Sequence, residues 1–267
     1  MVEPDVLPPA RSTVTHATIT VSEPVGFRPL RTDLHLPPGG GPHPLVVWVH
    51  GGGWQSGSRL TLPETIAPHG FHERHVARGY AVADVDYRLS SEAQYPAQLV
   101  DVQAAVGWLH RHAFALGLDP ARFATMGESA GGHLAAMVGL LGAGDAEIRA
   151  VVNWYGATDL TDFSHTDPDT APAVLLGGAI GERLDFARFA SPVHRVHPGA
   201  PPFLNVHGTA DTIVPYRQSE ALAEALRAHG VRADLLPVPD AGHCFEGWSD
   251  IGGVIDAGID FLDDVLK

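Results

Sequence analysis

Short apolar runs alternate with amphipathic segments along most of the chain. The apolar runs have the length of buried strands and lie at residues 45–49, 80–85, 122–126, 149–155, 203–207 and 232–238. The segments with helical periodicity lie at residues 62–78, 95–115, 130–141, 216–229 and 251–266. Strands that alternate with helices need crossover connections, which give a mostly parallel sheet covered on both faces. The pattern therefore predicts a doubly wound α/β fold.

Two segments depart from this alternation. Residues 14–21 and 27–36 are rich in alternating apolar and β-branched positions, which predicts two antiparallel strands joined by a turn. Residues 156–202 are instead rich in Asp, Thr, Ala, Pro and Gly, with only short helix-like pieces. A connection of that length inside a compact domain is usually functional. We therefore expect residues 156–202 to form a pocket wall or a lid.

No internal repeat or break in composition divides the chain of 267 residues, so we expect residues 13–267 to form one domain after a Pro-rich tail at residues 1–12. The chain has 17 Lys and Arg against 31 Asp and Glu, a formal net charge of −14. Such a charge repels phosphate groups, so neither nucleic acid nor an anionic membrane surface is an expected partner.

No membrane span or signal peptide is predicted either. The longest apolar stretch, near residues 134–144, is shorter than the roughly 20 residues that a spanning helix needs. The first residues lack the basic start and apolar run of a signal peptide, and the single cysteine, Cys244, cannot form an internal disulfide. These features predict a cytoplasmic protein.

The strongest local signal is the sequence Gly-Glu-Ser-Ala-Gly-Gly at residues 127–132. It lies between a predicted strand and a predicted helix, which is the setting of the G-x-S-x-G nucleophile elbow. That sharp turn exposes the serine at the carboxyl edge of the sheet, so Ser129 is the predicted nucleophile. The free N–H groups at the start of the following helix favour an anion, which makes the Ala130 N–H a predicted oxyanion donor.

A nucleophilic serine needs a base and an acid that orients the base. Of 16 histidines, His243 lies in a small-residue loop between the last strand and the last helix, which opens at the same sheet edge. Asp211 follows the preceding strand. Asp240 is a rival acid, but its position three residues before His243 suits a turn. The order Ser129, Asp211, His243 is that expected of α/β-hydrolases.

Three glycines follow the strand at residues 45–49, in the sequence His50-Gly51-Gly52-Gly53-Trp54. Glycines let backbone N–H groups approach a substrate oxygen without obstruction, so Gly52 and Gly53 are predicted oxyanion donors. The predicted substrate-binding residues are Trp54, Tyr87, Glu128 and Trp154. Aromatic residues near a strand end are as often part of the core, and Glu128 could instead form a hydrogen bond behind the active site or pack near the glycine-rich loop.

No metal or other cofactor is expected. His69, His72 and His75 are three residues apart, a spacing that spreads them around a helix and does not direct them toward one ion. Cys244 lies beside His243, but a serine elbow is already complete, so Cys244 is expected to be a packing residue.

With these motifs the chain resembles α/β-hydrolases of the esterase and lipase group that carry HGGG and G-[DE]-S-A-G-G. It is most similar to small bacterial feruloyl and acetyl esterases that have little lid and to kynurenine formamidases. It is also similar to the catalytic domain of prolyl oligopeptidases in HGTADTIVP and DAGHCF. The resemblance runs from about residue 28 to the C-terminus and includes the Asp-Tyr-Arg-Leu sequence at residues 86–89. It implies the α/β-hydrolase fold and assigns the same triad and oxyanion donors.

The predicted function is hydrolysis of small carboxylic esters through an acyl-enzyme on Ser129. The same machinery would serve an amide or formamide hydrolase, such as an arylformamidase or a peptidase, and the fold also supports acyltransferases, cyclases and ligand receptors. A receptor is disfavoured because its relatives typically lose a triad member, whereas this chain has all three. The sequence leaves open the natural substrate, and it is compatible with a homodimer.

Overall fold

Eight strands form one sheet in the computed structural model, which describes residues 14–267; the predicted tail at residues 1–12 lies outside the described residues. The spatial order is β1-β2-β4-β3-β5-β6-β7-β8. Pairing is antiparallel between β1 and β2 and between β2 and β4, and parallel elsewhere, which confirms the predicted mostly parallel sheet. The strands are β1 (Val14–Ser22), β2 (Leu30–His35), β3 (His43–Val49), β4 (Ala81–Val85), β5 (Leu118–Glu128), β6 (Ile148–Trp154), β7 (Phe203–Gly208) and β8 (Ala233–Val238).

Helices cover both faces of the sheet. Along β3, Val47 packs into the core that includes α2, α4 and α7, and Trp48 packs into the core on the opposite face that includes α1 and α8. The α-helices are α1 (Phe71–Ala77), α2 (Ala97–Arg111), α3 (Ala113–Leu116), α4 (Ala130–Leu141), α5 (Ala171–Leu176), α6 (Leu184–Phe189), α7 (Arg217–Ala228) and α8 (Ile251–Leu266). Short 3-10 helices span Ala67–His69, Leu160–Asp162, Ile180–Glu182, Pro192–Arg195 and His243–Phe245. This doubly wound arrangement is the predicted one.

Several elements differ in extent from their prediction, and β5, for example, spans Leu118–Glu128 where residues 122–126 were predicted. β2 begins at Leu30 because the residues before it form a turn, in which the Phe27 N–H donates to the Pro24 carbonyl at 3.0 Å. The helix predicted at residues 62–78 is reduced to α1 and a preceding 3-10 turn. The helix predicted at residues 95–115 breaks into α2 and α3 at His112, whose ψ of 7° leaves the helical range.

The long connection between β6 and β7 packs onto the same face as α2 and α4. Its apolar side chains Leu160, Leu176 and Ile180 are fully buried in that core. The segment is therefore part of the packed structure, and the proposal that it moves as a lid is untested. None of the helices within residues 14–267 is both long and apolar enough to cross a membrane.

Candidate active site

Ser129 lies on a sharp turn between β5 and α4. Its φ of 53° is in the left-handed region, and its N–H donates to the Trp154 carbonyl at 2.9 Å, which ties the turn to β6. Glycines are required on both sides of Ser129, because the turn leaves no room for a side chain at these positions. A Cβ atom at Gly127 would lie 2.4 Å from the Gly131 carbonyl oxygen, and one at Gly131 would lie 2.0 Å from that of Val49. The nucleophile elbow is thus present as a backbone conformation.

The structure brings Ser129, His243 and Asp211 together in one chain of contacts. His243 Nε2 lies 3.0 Å from Ser129 Oγ, and His243 Nδ1 lies 2.7 Å from Asp211 Oδ2. These three residues follow β5, β8 and β7, whose carboxyl ends share one edge of the sheet. The rival acid Asp240 lies in a turn at a φ of 57°, where its own N–H donates to the Thr209 hydroxyl.

Asp211 is held by contacts on both carboxylate oxygens. Its Oδ1 accepts from the N–H groups of Ile213 at 2.8 Å and Val214 at 2.9 Å. Its Oδ2 lies 2.7 Å from Nδ1 of His243 and 3.3 Å from Nε2 of the buried His207. Burial alone would raise the pKa of Asp211, but the contacts with the two histidines and the Val214 N–H lower it well below its usual range. Asp211 is therefore ionised at neutral pH.

His207 is a neighbour that the sequence patterns did not single out. Its Nδ1 lies 2.7 Å from the Ser219 hydroxyl and its Nε2 lies 2.7 Å from the Val214 carbonyl, so it links β7 and α7 to the loop that carries Asp211. The only signal in the sequence that could have identified His207 was its position four residues before Asp211, in His-Gly-Thr-Ala-Asp.

The glycine-rich loop after β3 has a backbone conformation that depends on its glycines. Gly52 has a φ of 97° and Gly53 a φ of 61°, and a Cβ atom at Gly52 would lie 2.4 Å from the Ser56 carbonyl oxygen. Within residues 14–267, no hydrogen bond uses the N–H of Gly52, Gly53 or Ala130 as donor. All three predicted oxyanion donors are thus without an acceptor in the part of the chain that the structure describes.

Glu128 connects the elbow to the glycine-rich loop. Its Oε1 accepts from the Gly51 N–H at 2.7 Å, and a Cβ atom at Gly51 would lie only 2.2 Å from that oxygen. The side chain is buried, and this burial raises the pKa of Glu128 to about 7 although the Gly51 N–H and His243 oppose the shift. Of the two roles considered for Glu128, substrate binding and packing near the glycine-rich loop, the structure shows the contact with the loop.

Replacing Glu128 with Gln is expected to increase stability at pH 8 more than at pH 5. A carboxyl whose pKa rises on folding stabilises the fold below its unfolded pKa and loses that contribution as the pH rises through the folded value. From the pKa of about 7, the loss at pH 8 is on the order of 3 kcal/mol. Thermal unfolding at both pH values measures this difference in stability. Glu224→Gln, at an exposed position, is the control. An equal effect of Glu128→Gln at both pH values would contradict this coupling.

A small apolar cavity of about 290 Å³ opens beside Ser129. Trp54, Phe163, Pro172 and Val214 are among its lining residues, and no charged side chain of the described residues lines it. The structure thus places Trp54 where it was predicted. Phe163 and Pro172 were covered only by the expectation for the whole connection at residues 156–202, because nothing in the local sequence shows which of its residues face the serine.

The structure corrects the predicted placement of Tyr87 and Trp154, which are both fully buried and do not line this cavity. The Tyr87 ring stacks on His50 with centroids 4.3 Å apart, and its hydroxyl donates to the His50 carbonyl at 3.0 Å. Trp154 packs against Trp48 and Phe245, at centroid distances of 5.6 and 5.5 Å. Both aromatic rings thus pack inside the protein at strand ends.

Comparisons with known proteins agree with this geometry. The chain is 33% identical over 221 residues to esterase LipC of Mycobacterium tuberculosis, an alignment that covers 77% of this chain and 54% of LipC. It spans about half the length of the curated relatives that it matches first. Among solved structures, a truncated carbohydrate esterase from gut microbiota superimposes with a TM-score of 0.80, at 27% identity and with 96% of this chain and 98% of that chain covered.

A second structural neighbour is esterase 2 of Thermogutta terrifontis, in the form phosphoramylated by tabun. It has a TM-score of 0.77 at 25% identity, with 97% of this chain and 98% of that chain covered. The BD-FAE family matches residues 32–226, which is most of the chain and includes Ser129, Asp211 and the glycine-rich loop. The chain therefore belongs to the BD-FAE family of α/β-hydrolase esterases.

Proposed function

We propose that this protein is a serine esterase that hydrolyses small carboxylic esters and uses no cofactor. The observation that carries the proposal is the contact chain from Ser129 through His243 to Asp211, which lies beside an apolar cavity. Three backbone N–H groups in the same region have no acceptor among residues 14–267. Relatives that are named esterases support it.

Each group has a role in the proposed reaction. Ser129 Oγ attacks the ester carbonyl while His243 Nε2 accepts its proton, and the same nitrogen then donates that proton to the leaving alcohol. Ionised Asp211 fixes the ring orientation of His243 and stabilises the imidazolium. The N–H groups of Gly52, Gly53 and Ala130 form the oxyanion hole, which exists before substrate arrives. A water molecule activated by His243 then hydrolyses the acyl-enzyme.

The small cavity predicts a preference for short acyl chains. A volume of about 290 Å³ is at the lower end of ligand pockets, and its apolar walls offer no partner for a charged acyl group. We expect kcat/KM to be highest for 4-nitrophenyl acetate to butyrate and to fall at least about tenfold for the octanoate. Initial rates across the ester series measure this.

Two phenylalanines give a matched pair for this prediction. Phe163→Ala removes a wall of the cavity and should shift the optimum toward longer chains, whereas Phe114→Ala, at an exposed position on α3, should leave it unchanged. Hydrolysis of the octanoate as fast as the acetate by the unmodified protein would show that the acyl chain lies elsewhere.

The test of the function itself compares matched substrates. Hydrolysis of 4-nitrophenyl acetate with little hydrolysis of 4-nitroacetanilide is the expected result, because an amide needs stronger protonation of its leaving group. The reverse preference would favour the amide or formamide hydrolases that the motifs also permit. No turnover of any ester by the folded protein would contradict the proposal. A cytoplasmic location and a homodimer stay predictions.

A further inference from the structure

A second cluster of titratable side chains lies outside the triad and is not used by the proposed reaction. It consists of His35 at the end of β2, His72 on α1 and Asp84 on β4. His35 and Asp84 are buried, and His72 is partly buried. One ligand atom from each of the three residues lies within 4.8 Å of the other two.

Both imidazoles of the cluster face the same carboxylate oxygen. His35 Nε2 lies 2.8 Å and His72 Nε2 lies 3.0 Å from Asp84 Oδ2. The two rings stack with centroids 4.0 Å apart and 13° between their planes, so the nitrogens approach the carboxylate side by side. The Thr32 hydroxyl donates to the Asp84 carbonyl at 2.8 Å, which adds a contact that fixes this strand position.

The cluster borders a cavity of about 440 Å³ whose charged groups favour a cation. Among residues 14–267, the carboxylates of Asp33, Glu73 and Asp84 line it, together with the guanidinium of Arg59. Arg59 already forms two ion pairs, because its Nε lies 3.1 Å from Asp33 Oδ1 and its Nη1 lies 3.3 Å from Asp86 Oδ2. The remaining negative charge belongs to Glu73 and Asp84.

We propose that His35, His72 and Asp84 bind one divalent transition-metal ion, with Zn²⁺ as the best match. Two imidazole nitrogens and one carboxylate oxygen form a donor set that Zn²⁺ binds well. In a tetrahedral site with bonds of about 2.0–2.1 Å, ligand atoms are roughly 3.3 Å apart. The two distances from a ring nitrogen to Asp84 Oδ2, 2.8 and 3.0 Å, need to widen by only a few tenths of an ångström, and all three ligand atoms lie within 4.8 Å of one another. Glu73, or water in the cavity, completes the coordination.

The ion would have a structural role, because no triad residue is in the cluster. It would join α1 to two strands of the sheet, and an ion that binds only the folded state raises its melting temperature. The spacing of His69, His72 and His75 could not reveal such a site, since the partners of His72 come from β2 and β4. His75 instead directs its Nδ1 at the Phe71 carbonyl, at 2.7 Å.

Titration of the metal-free protein with Zn²⁺ alone tests the proposal by calorimetry and thermal unfolding. We expect one ion per chain and a melting temperature several degrees higher. Co²⁺ should give the visible absorption of a site with nitrogen ligands. His72→Ala should abolish both effects, whereas His229→Ala, which removes an exposed histidine at the end of α7, should keep them.

Two results would overturn the proposal. One is the absence of stoichiometric binding by the unmodified chain, and the other is equal binding by the His72→Ala protein, which would indicate weak association with scattered histidines. Thermal unfolding without metal establishes that each variant is folded. Should His72→Ala fail to fold, Asp84→Asn offers a second variant of nearly unchanged shape, for which the same loss of binding is expected.

Discussion

The Ser129→Ala protein is expected to hydrolyse 4-nitrophenyl acetate with kcat/KM reduced by about 10⁴-fold or more. Alanine removes the hydroxyl oxygen that lies 3.0 Å from His243 Nε2, so no acyl-enzyme can form. Removal of the nucleophile from a triad costs about that much in other serine hydrolases, and the residual rate comes from the oxyanion donors. Steady-state kinetics on the purified protein measure the change.

The matched control is Ser164→Ala, at an exposed serine in the connection between β6 and β7, which should keep full activity. Paraoxon gives an independent readout, because it phosphorylates the neighbouring esterase 2 of Thermogutta terrifontis. We expect a single adduct by mass spectrometry on the unmodified and Ser164→Ala proteins and none on Ser129→Ala. An adduct of equal yield on Ser129→Ala would place the nucleophile elsewhere.

Local signals in the sequence were sufficient for the elbow and for the order of the triad. The predicted bounds of α4, residues 130–141, agree with the structure because the elbow marks its start and Gly142, at a φ of 73°, marks its end. The loops that carry Asp211 and His243 were placed correctly because parallel strands bring their carboxyl ends to one edge. Their contact distances, however, are properties of the folded chain.

Contacts between distant residues were not predictable. Glu128 and Gly51 are 77 positions apart, and only the folded sheet places the carboxylate against that N–H. Tyr87 and Trp154 were misplaced for a related reason, because an aromatic residue at a strand end can face either a pocket or the core, and local sequence does not decide between them. The cluster of His35, His72 and Asp84 likewise combines three separate elements.

The second large effect is expected from Asp211→Asn, which should reduce kcat for 4-nitrophenyl acetate by roughly 10³–10⁴-fold with little change in KM. The asparagine oxygen can still accept from the Ile213 and Val214 N–H groups, so the loop should keep its shape. Its amide nitrogen would then face His243 Nδ1 and donate to it. That contact favours the ring tautomer in which Nε2 carries the proton and cannot act as the base.

The comparison with Asp240→Asn makes this prediction specific to the proposed acid. Asp240 lies in an exposed turn, and its replacement should change kcat less than about threefold. The ionised Asp211 stabilises the fold above its unfolded pKa, a contribution lost as the pH falls through its lowered folded pKa, so thermal unfolding must accompany the kinetics. A folded Asp211→Asn protein that retains activity, with Asp240→Asn inactive, would reassign the acid. If a folded Asp211→Asn protein loses activity and Asp240→Asn does not, the ability of His243 to act as a base depends on its 2.7 Å contact with Asp211.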